Sequence, residues 1–348
     1  MNTLGFWGKI KRPVFALAPM ADVTDCAFRQ IIAKYGKPDI FWTEFVSADG
    51  LTHPVAREKL LIDLKYSKNE RPIVAQIFGG KPENIKIAAA LCKKLGFDGI
   101  DLNMGCPDKS VEKQCAGAAC LKDLELAKKI IRAAKEGVGE LPVSVKTRIG
   151  YNKNEIETLV PALLEEDLAA LTIHLRTRKE MSDVPAHWDV MKKIVEIRNE
   201  MKKETLILGN GDVENLEDAR KKIKEYKCDG VMLGRAIFGN PWLFASREHI
   251  SKSTNNFLLK ILSARPSRPA QGFYKHVPST PEKLQVMVEH TKLFEKMLGQ
   301  HKNFATMKKH YKAYVNGFAG AKELRMKLME TSSAKEVAEI VNDFLAKV

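Results

Sequence analysis

The run Asn103-Met104-Gly105-Cys106-Pro107 puts a carboxamide, a thiol and two backbone-shaping residues within five positions. It follows Phe97-Asp98-Gly99-Ile100-Asp101-Leu102, which reads as a short buried strand, so the thiol stands on a turn at that strand's C-terminal end. Pro107 sets its own φ and keeps Cys106 out of helical geometry. Gly105 lets the backbone bend tightly or approach a ligand. A thiol of ordinary pKa is mostly protonated at neutral pH, so it can donate a proton as well as act as a nucleophile. A buried cysteine in a plain βα turn would use the same residues, and the five alone do not choose between the readings.

Other groups with chemical capacity follow further apolar runs. Pro19 and Met20 come after 14–18, Gln76 lies within 73–78, and Lys146 and Arg148 lie in or just after 143–147. His174 ends 170–174, with Arg176 and Arg178 beyond. The run 206–208 leads into Gly209-Asn210-Gly211-Asp212, and 230–233 leads into Gly234-Arg235. With 40–45 and 99–103 these make eight strand candidates, separated by helical patterns such as 83–95 and 124–136. Apolar strands alternating with helices imply βαβ units and a parallel sheet. Eight repeats in about 230 residues match an α/β fold of the (β/α)8 TIM-barrel type, whose working groups gather at the strands' C-terminal ends. An open doubly wound sheet is the competitor, but Ala18-Pro19-Met20-Ala21-Asp22 after the first strand lacks the GxGxxG turn. Glycines after the last two strands would expose N–H groups to a phosphate, and Arg235 adds a planar cation. Ordinary glycine turns are the plain alternative.

Size and charge bound the rest. The 348 residues suit one large domain and a smaller one. No apolar run approaches the roughly 20 residues that span a bilayer, and residues 1–13 lack a signal-peptide pattern, so a cytoplasmic protein is expected. The six cysteines show no CxxC spacing and no zinc-like cluster, so free thiols and no metal are expected. The net charge is +14, and residues 251–348 hold 17 Lys and Arg against 8 Asp and Glu. Such an excess suits a polyanion as well as a solubilising surface. The expected division is a barrel over 1–250, a basic, Pro-containing linker over 251–280 and a small helical bundle over 281–348. Ser279-Thr280-Pro281-Glu282 is a helix-start pattern. Phe304, Met307, Tyr311, Tyr314 and Phe318 would share one buried helix face, with Lys302, Lys308, Lys309 and Lys312 on the other side.

Taken in order, several stretches resemble the tRNA-dihydrouridine synthase family. They are Ala18-Pro-Met-Ala-Asp-Val-Thr-Asp25, Asn103-Met-Gly-Cys-Pro107, Val145-Lys-Thr-Arg-Ile-Gly150, Thr172-Ile-His-Leu-Arg-Thr-Arg178, Gly209-Asn-Gly-Asp212 and Leu233-Gly-Arg-Ala236. The tail 307–328 resembles that family's helical domain. Leu175 departs from the family's usual glycine after the histidine, where a side chain could crowd the cofactor.

The resemblance implies an oxidoreductase that binds FMN across the barrel mouth, takes reducing equivalents from NADPH and reduces a uracil of tRNA to dihydrouracil. By similarity Cys106 is the acid that protonates C5. Pro19, Met20, Gln76, Lys146 and His174 would hold the flavin and its ribityl chain. Asn210, Gly211, Asp212, Gly234 and Arg235 would bind its phosphate. Asn103, Arg148, Arg176 and Arg178 would contact the substrate, the first two at the uracil edge. The partner is tRNA, held by the basic tail including Arg265, Arg268 and Lys275; no membrane is involved, and a monomer is expected. Two other readings compete: an FMN barrel dehydrogenase of free small molecules, and a non-catalytic RNA-binding barrel. Which uridine is modified, and NADPH over NADH, are not legible in the sequence.

Overall fold

The computed structural model describes residues 3–245 and 278–347. Residues 251–277 of the expected linker, with Arg265, Arg268 and Lys275, lie outside them. The described residues form two compact units. One takes Met1–Ala21 and Asp39–Arg235, the other Asp22–Pro38 and Ala236–Val348.

The first unit is built on nine parallel strands. They are β1 (Val14–Leu17), β2 (Phe41–Trp42), β3 (Val46–Ser47), β4 (Ile73–Phe78), β5 (Gly99–Met104), β6 (Val143–Arg148), β7 (Ala170–His174), β8 (Leu206–Asn210) and β9 (Gly230–Leu233). The order is β1-β9-β8-β7-β6-β5-β4-β2, with β3 also on β4. A parallel bridge from Ala16 to Ile40 closes the ring. The result is an eight-position TIM barrel whose second position is split between β2 and β3. The split falls where the Gln76 N–H donates to the Thr43 hydroxyl (3.0 Å), so a side chain takes the place of a ladder carbonyl.

Strand residues alternate between the barrel interior and the surrounding helices. The apolar inner residues Val14, Ala16, Trp42, Val74, Ala170, Leu206, Leu208 and Met232 form one cluster with Trp7. Trp7 comes from the short 3-10 helix Gly5–Lys9 and meets Trp42 edge-on at 5.8 Å. A Cβ on Gly5 would stand 2.9 Å from Pro142, just ahead of β6, so this helix lies at the strands' N-terminal ends. The opposite end is polar. Register pairs Gln76 with Asp101, Asp101 with Ser144, Asn103 with Lys146, Arg148 with His174 and His174 with Asn210.

The second unit contains the helices Cys26–Tyr35, Thr280–Leu298, Lys308–Tyr314, Ala321–Glu330 and Ala334–Leu345. Thr280–Leu298 starts on a capping box in which Ser279 and Glu282 satisfy each other's backbone N–H. Glu289 of this helix accepts from Lys34 Nζ and Tyr35 OH, each at 2.6 Å. Met307, Tyr311 and Tyr314 are buried as the face pattern predicts. Phe318 departs from it: the helix stops at Tyr314, ahead of Gly317 in a left-handed conformation (φ 77°), and Phe318 instead meets Phe344 at 5.8 Å. Two histidines, His290 and His310, are buried against Phe28 with ring centroids 4.7 Å apart.

Candidate active site

The thiol-bearing turn is held from below by the residue that opens it. Asn103 Oδ1 accepts the N–H groups of Gly105 (3.1 Å) and Cys106 (2.9 Å). A Cβ on Gly105 would lie 3.1 Å from the Thr147 carbonyl carbon, so the turn runs close along β6. The Cys106 carbonyl accepts from Ala118 N (2.9 Å), which fixes the other side of the turn. Cys106 is half-buried beside Phe78, Val111 and Ala116. Burial pushes its thiol pKa above the ordinary 9.0, against the opposing pull of the Asp108 N–H, Lys146 and Arg148. At neutral pH the group is a thiol carrying its proton.

Below the turn lies a polar network that the sequence reading did not single out. Asn103 Nδ2 donates to Gln76 Oε1 (3.2 Å), and Gln76 Nε2 donates to Asp101 Oδ2 (2.6 Å). Ser144 Oγ donates to Asp101 Oδ1 (2.6 Å). Gln76 and Asp101 are fully buried. A signal was available: Asp101 and Asn103 share one face of a strand that is otherwise apolar, and a buried carboxylate needs partners. Burial raises the Asp101 pKa to about 6, with Ser144, Gln76 and Lys146 acting the other way.

Lys146 rises beside this network with its side chain partly exposed. Its pKa is pushed down to about 8, first by burial and then by Arg148, while Asp101 and Cys106 oppose the shift. It makes no hydrogen bond or ion pair among the described residues. An uncommitted ammonium in a polar barrel mouth is a ready partner for an anionic group.

The arginines and His174 brace the rim. Arg148 is 6% exposed and donates to three carbonyls: Gly105 (2.7 Å) through Nε, and Thr177 (2.9 Å) and Met181 (3.0 Å) through Nη1. Nη2 keeps its protons for another partner. Arg176 is 2% exposed and commits its whole fork, to the Val184 carbonyl (2.6 Å), His174 Nε2 (3.0 Å) and Asp212. A guanidinium only donates, so His174 Nε2 must accept and its proton sits on Nδ1. Burial and the surrounding cations hold His174 neutral, far below its usual range. Arg178 turns from the mouth to a two-pronged pair with Glu112 (2.9 and 2.6 Å) and stacks on Tyr151.

The turn after β8 is shaped as a cradle. Gly211 has φ 121°, and a Cβ there would stand 2.9 Å from Ala186 and 3.1 Å from the His174 ring. Asn210 Nδ2 donates to the Met232 carbonyl (2.8 Å), tying β8 to β9. Asp212 is occupied by cations, pairing with Arg176 and with Arg235 Nη2 (2.6 Å). Around Gly234 a Cβ would meet only Ala18, at 3.7 Å, so backbone is open to a ligand there. Pro19 and Met20 are half-buried just past β1, next to β9 through the Ala18 N–H to Leu233 carbonyl bond (2.8 Å). Leu175 is fully buried, so its side chain does not stand in the mouth. Among the described residues no group of three or more His, Cys, Asp or Glu could hold a metal ion, and no helix is long and apolar enough to cross a membrane.

Comparisons with known proteins give the family and the fold. Residues 16–348 match the family model described as dihydrouridine synthase (Dus). A "Probable tRNA-dihydrouridine synthase" of Staphylococcus aureus (strain COL) is 38% identical over 99% of this chain and 96% of its own length. A "Probable tRNA-dihydrouridine synthase 2" of Bacillus subtilis (strain 168) is 37% identical over 99% of this chain and 98% of its own. A solved 2-naphthoyl-CoA reductase complex shares the fold at TM-score 0.51 and 11% identity, over 69% of this chain and 50% of that one. The chain belongs to the dihydrouridine synthase family of enzymes.

Proposed function

We propose that this enzyme reduces uridine in tRNA to 5,6-dihydrouridine, with Cys106 as the acid that protonates C5. The observation that carries the reading is a proton-bearing thiol, fixed by Asn103 at the rim of a polar barrel mouth, within the electrostatic reach of Lys146 and Arg148. The residues present also fit FMN. Lys146 has an uncommitted ammonium for an anionic ring edge, His174 offers Nδ1–H, and the Gly211 and Gly234 backbone with Arg235 suits a phosphate. FMN, reduced by NADPH, would supply the hydride for uracil C6.

The chain's own residues have defined tasks. Hydride arrival at C6 leaves negative charge over C5 and O4 of the base. Cys106 Sγ–H gives its proton to C5, forming the new C–H bond, and the resulting thiolate is stabilised by Lys146 and Arg148 until solvent reprotonates it. A carboxylic acid of ordinary pKa would already be ionised and would repel that charge. Arg148 Nη2 and the second Nδ2 proton of Asn103 are free to meet the carbonyl oxygens of the base. Gln76, Pro19, Met20, Asn210 and Asp212 shape or brace the cofactor side, and Arg176 and Arg178 brace the rim. A uracil in folded RNA must leave its stack to enter, at about a few kcal/mol. The lysines of the second unit, with Lys309 and Lys312 exposed, are suited to offset this through phosphate contacts.

The test is Cys106→Ala, assayed by nucleotide-resolution mapping of dihydrouridine in tRNA. Retained flavin and NADPH oxidation with roughly a 10²–10⁴-fold loss of product formation is expected. Full activity in that variant refutes the acid assignment.

A further inference from the structure

We propose that Asp101 is a positioning residue for the Cys106 turn, acting through the carboxamides of Gln76 and Asn103; this rests on the reading of Cys106 as the acid. The argument is one of hydrogen-bond direction. The N–H groups of Gly105 and Cys106 can only donate, so the atom of Asn103 that faces them must be its oxygen. The Asn103 nitrogen therefore faces Gln76, whose oxygen accepts at 3.2 Å. The Gln76 nitrogen must then point at position 101, at 2.6 Å, where only an acceptor is tolerated. A carboxylate meets that demand without ambiguity. Either amide, if turned over, would set two donors or two acceptors against each other inside a buried strand layer, which is costly. Asp101 thus reaches the thiol turn through three linked bonds although its own carboxylate is fully buried beneath it. Ser144 completes it from the far side, donating to Asp101 Oδ1 (2.6 Å) while lying 3.3 Å from the Ile100 carbonyl.

The experiment compares four variants by three readouts: amide hydrogen exchange of the segment containing Gly105 and Cys106, the pH profile of Cys106 alkylation by iodoacetamide resolved by peptide mass spectrometry, and kcat and KM with tRNA. Asp101→Leu removes the acceptor. Exchange should rise at least tenfold, the alkylation profile should shift, and kcat should fall at least tenfold with KM for tRNA within twofold. Asp101→Asn should stay close to wild type, because the new amide can turn its oxygen to Gln76 while the Ser144 hydroxyl accepts from its nitrogen. Asn103→Asp puts an acceptor against Gln76 Oε1 and should loosen the turn. The double variant Asp101→Asn/Asn103→Asp reverses the two bonds of the Gln76 amide, while Gly105, Cys106 and Ser144 donate as before. It should restore wild-type exchange and alkylation, and it carries the test if Asp101→Leu does not fold. The proposal is overturned if Asp101→Leu, folded, matches wild type in all three readouts. It is equally overturned if Asp101→Asn is as damaging as Asp101→Leu, or if the double variant is no better than Asn103→Asp. Wild-type protein that makes no dihydrouridine but shows the exchange pattern would sink the reaction while leaving the relay standing.

Discussion

Lys146 and Cys106 both titrate on the alkaline side of neutrality, and the order in which they do so follows from their surroundings. Lys146 is lowered to about 8 by burial and by Arg148, so its charge is present at neutral pH and is lost as pH rises through that value. Burial moves Cys106 the other way, above 9.0, so its proton outlasts the lysine charge. The alkaline limb of kcat/KM is therefore expected near pH 8 and belongs to Lys146. In Lys146→Arg the limb should move up by at least one unit, since a guanidinium stays charged. A limb unmoved by that change assigns it to another group. His174 adds a constraint of a different kind. With Nε2 occupied by Arg176, it enters the site as a neutral ring that offers only Nδ1–H.

At the scale of elements, the barrel supplies a rigid ring and the loops are tied to it by buried arginines. Arg148, at the end of β6, joins the turn after β5 to the segment after β7 through the carbonyls of Gly105, Thr177 and Met181. Arg148→Met leaves those carbonyls without donors and should cost about 2–4 kcal/mol in denaturant unfolding, from roughly 1–3 kcal/mol for each unsatisfied buried group less relaxation. Arg148→Lys should recover little of it, because one ammonium cannot reach three acceptors spread across two loops. Unfolding within 0.5 kcal/mol of wild type would show the bracket to be dispensable. These elements also show what the sequence carried. The strands 73–78, 170–174 and 230–233 were legible to the residue, because buried parallel strands are continuous apolar runs bounded by helical patterns. The run 40–45 was read as one strand; the structure keeps only Phe41–Trp42 of it and adds Val46–Ser47 beyond it, because the replacement of a ladder bond by the Thr43 hydroxyl has no signature in the residue pattern.

For the molecule as a whole, buried neutral histidines set part of the stability against acid, and two of them lie in the second unit. His290 and His310 are buried together; both nitrogens of His290 lack hydrogen-bond partners among the described residues. His290 is held well below the ordinary 6.5, and His310 falls to about 3. A histidine depressed in the folded state contributes stability above its unfolded pKa and loses it as pH falls. The loss should begin near pH 6.5 and reach about 2 kcal/mol per histidine by pH 5, at about 1.4 kcal/mol per unit. His290→Phe keeps the ring against Phe28 and removes the titration. Its melting temperature should exceed that of wild type and fall less between pH 7 and pH 5; an equal slope in both proteins would refute the buried neutral pair. The assignment of residues 22–38 to the second unit was not visible either. The helix Cys26–Tyr35 follows β1 in sequence yet belongs to the second unit, where Lys34 and Tyr35 meet Glu289. Those partners are about 250 positions apart, beyond the reach of any local pattern.

By itself the sequence determined the barrel, the polar rim at its strand ends and the thiol on the turn after the fourth strand position. Those features are written in periodicity, in glycine and proline placement and in residue type, all of which act over a few neighbours. Only the tertiary structure decided which rim groups are free and which are spent. Lys146 stands uncommitted, while Arg176 and Asp212 are consumed in bracing, and Asp101, unremarked in the chain, lies at the root of the thiol turn. Hydrogen-bond partners and desolvation are set by residues brought together from separate strands, so availability for chemistry emerges only when the ring has closed.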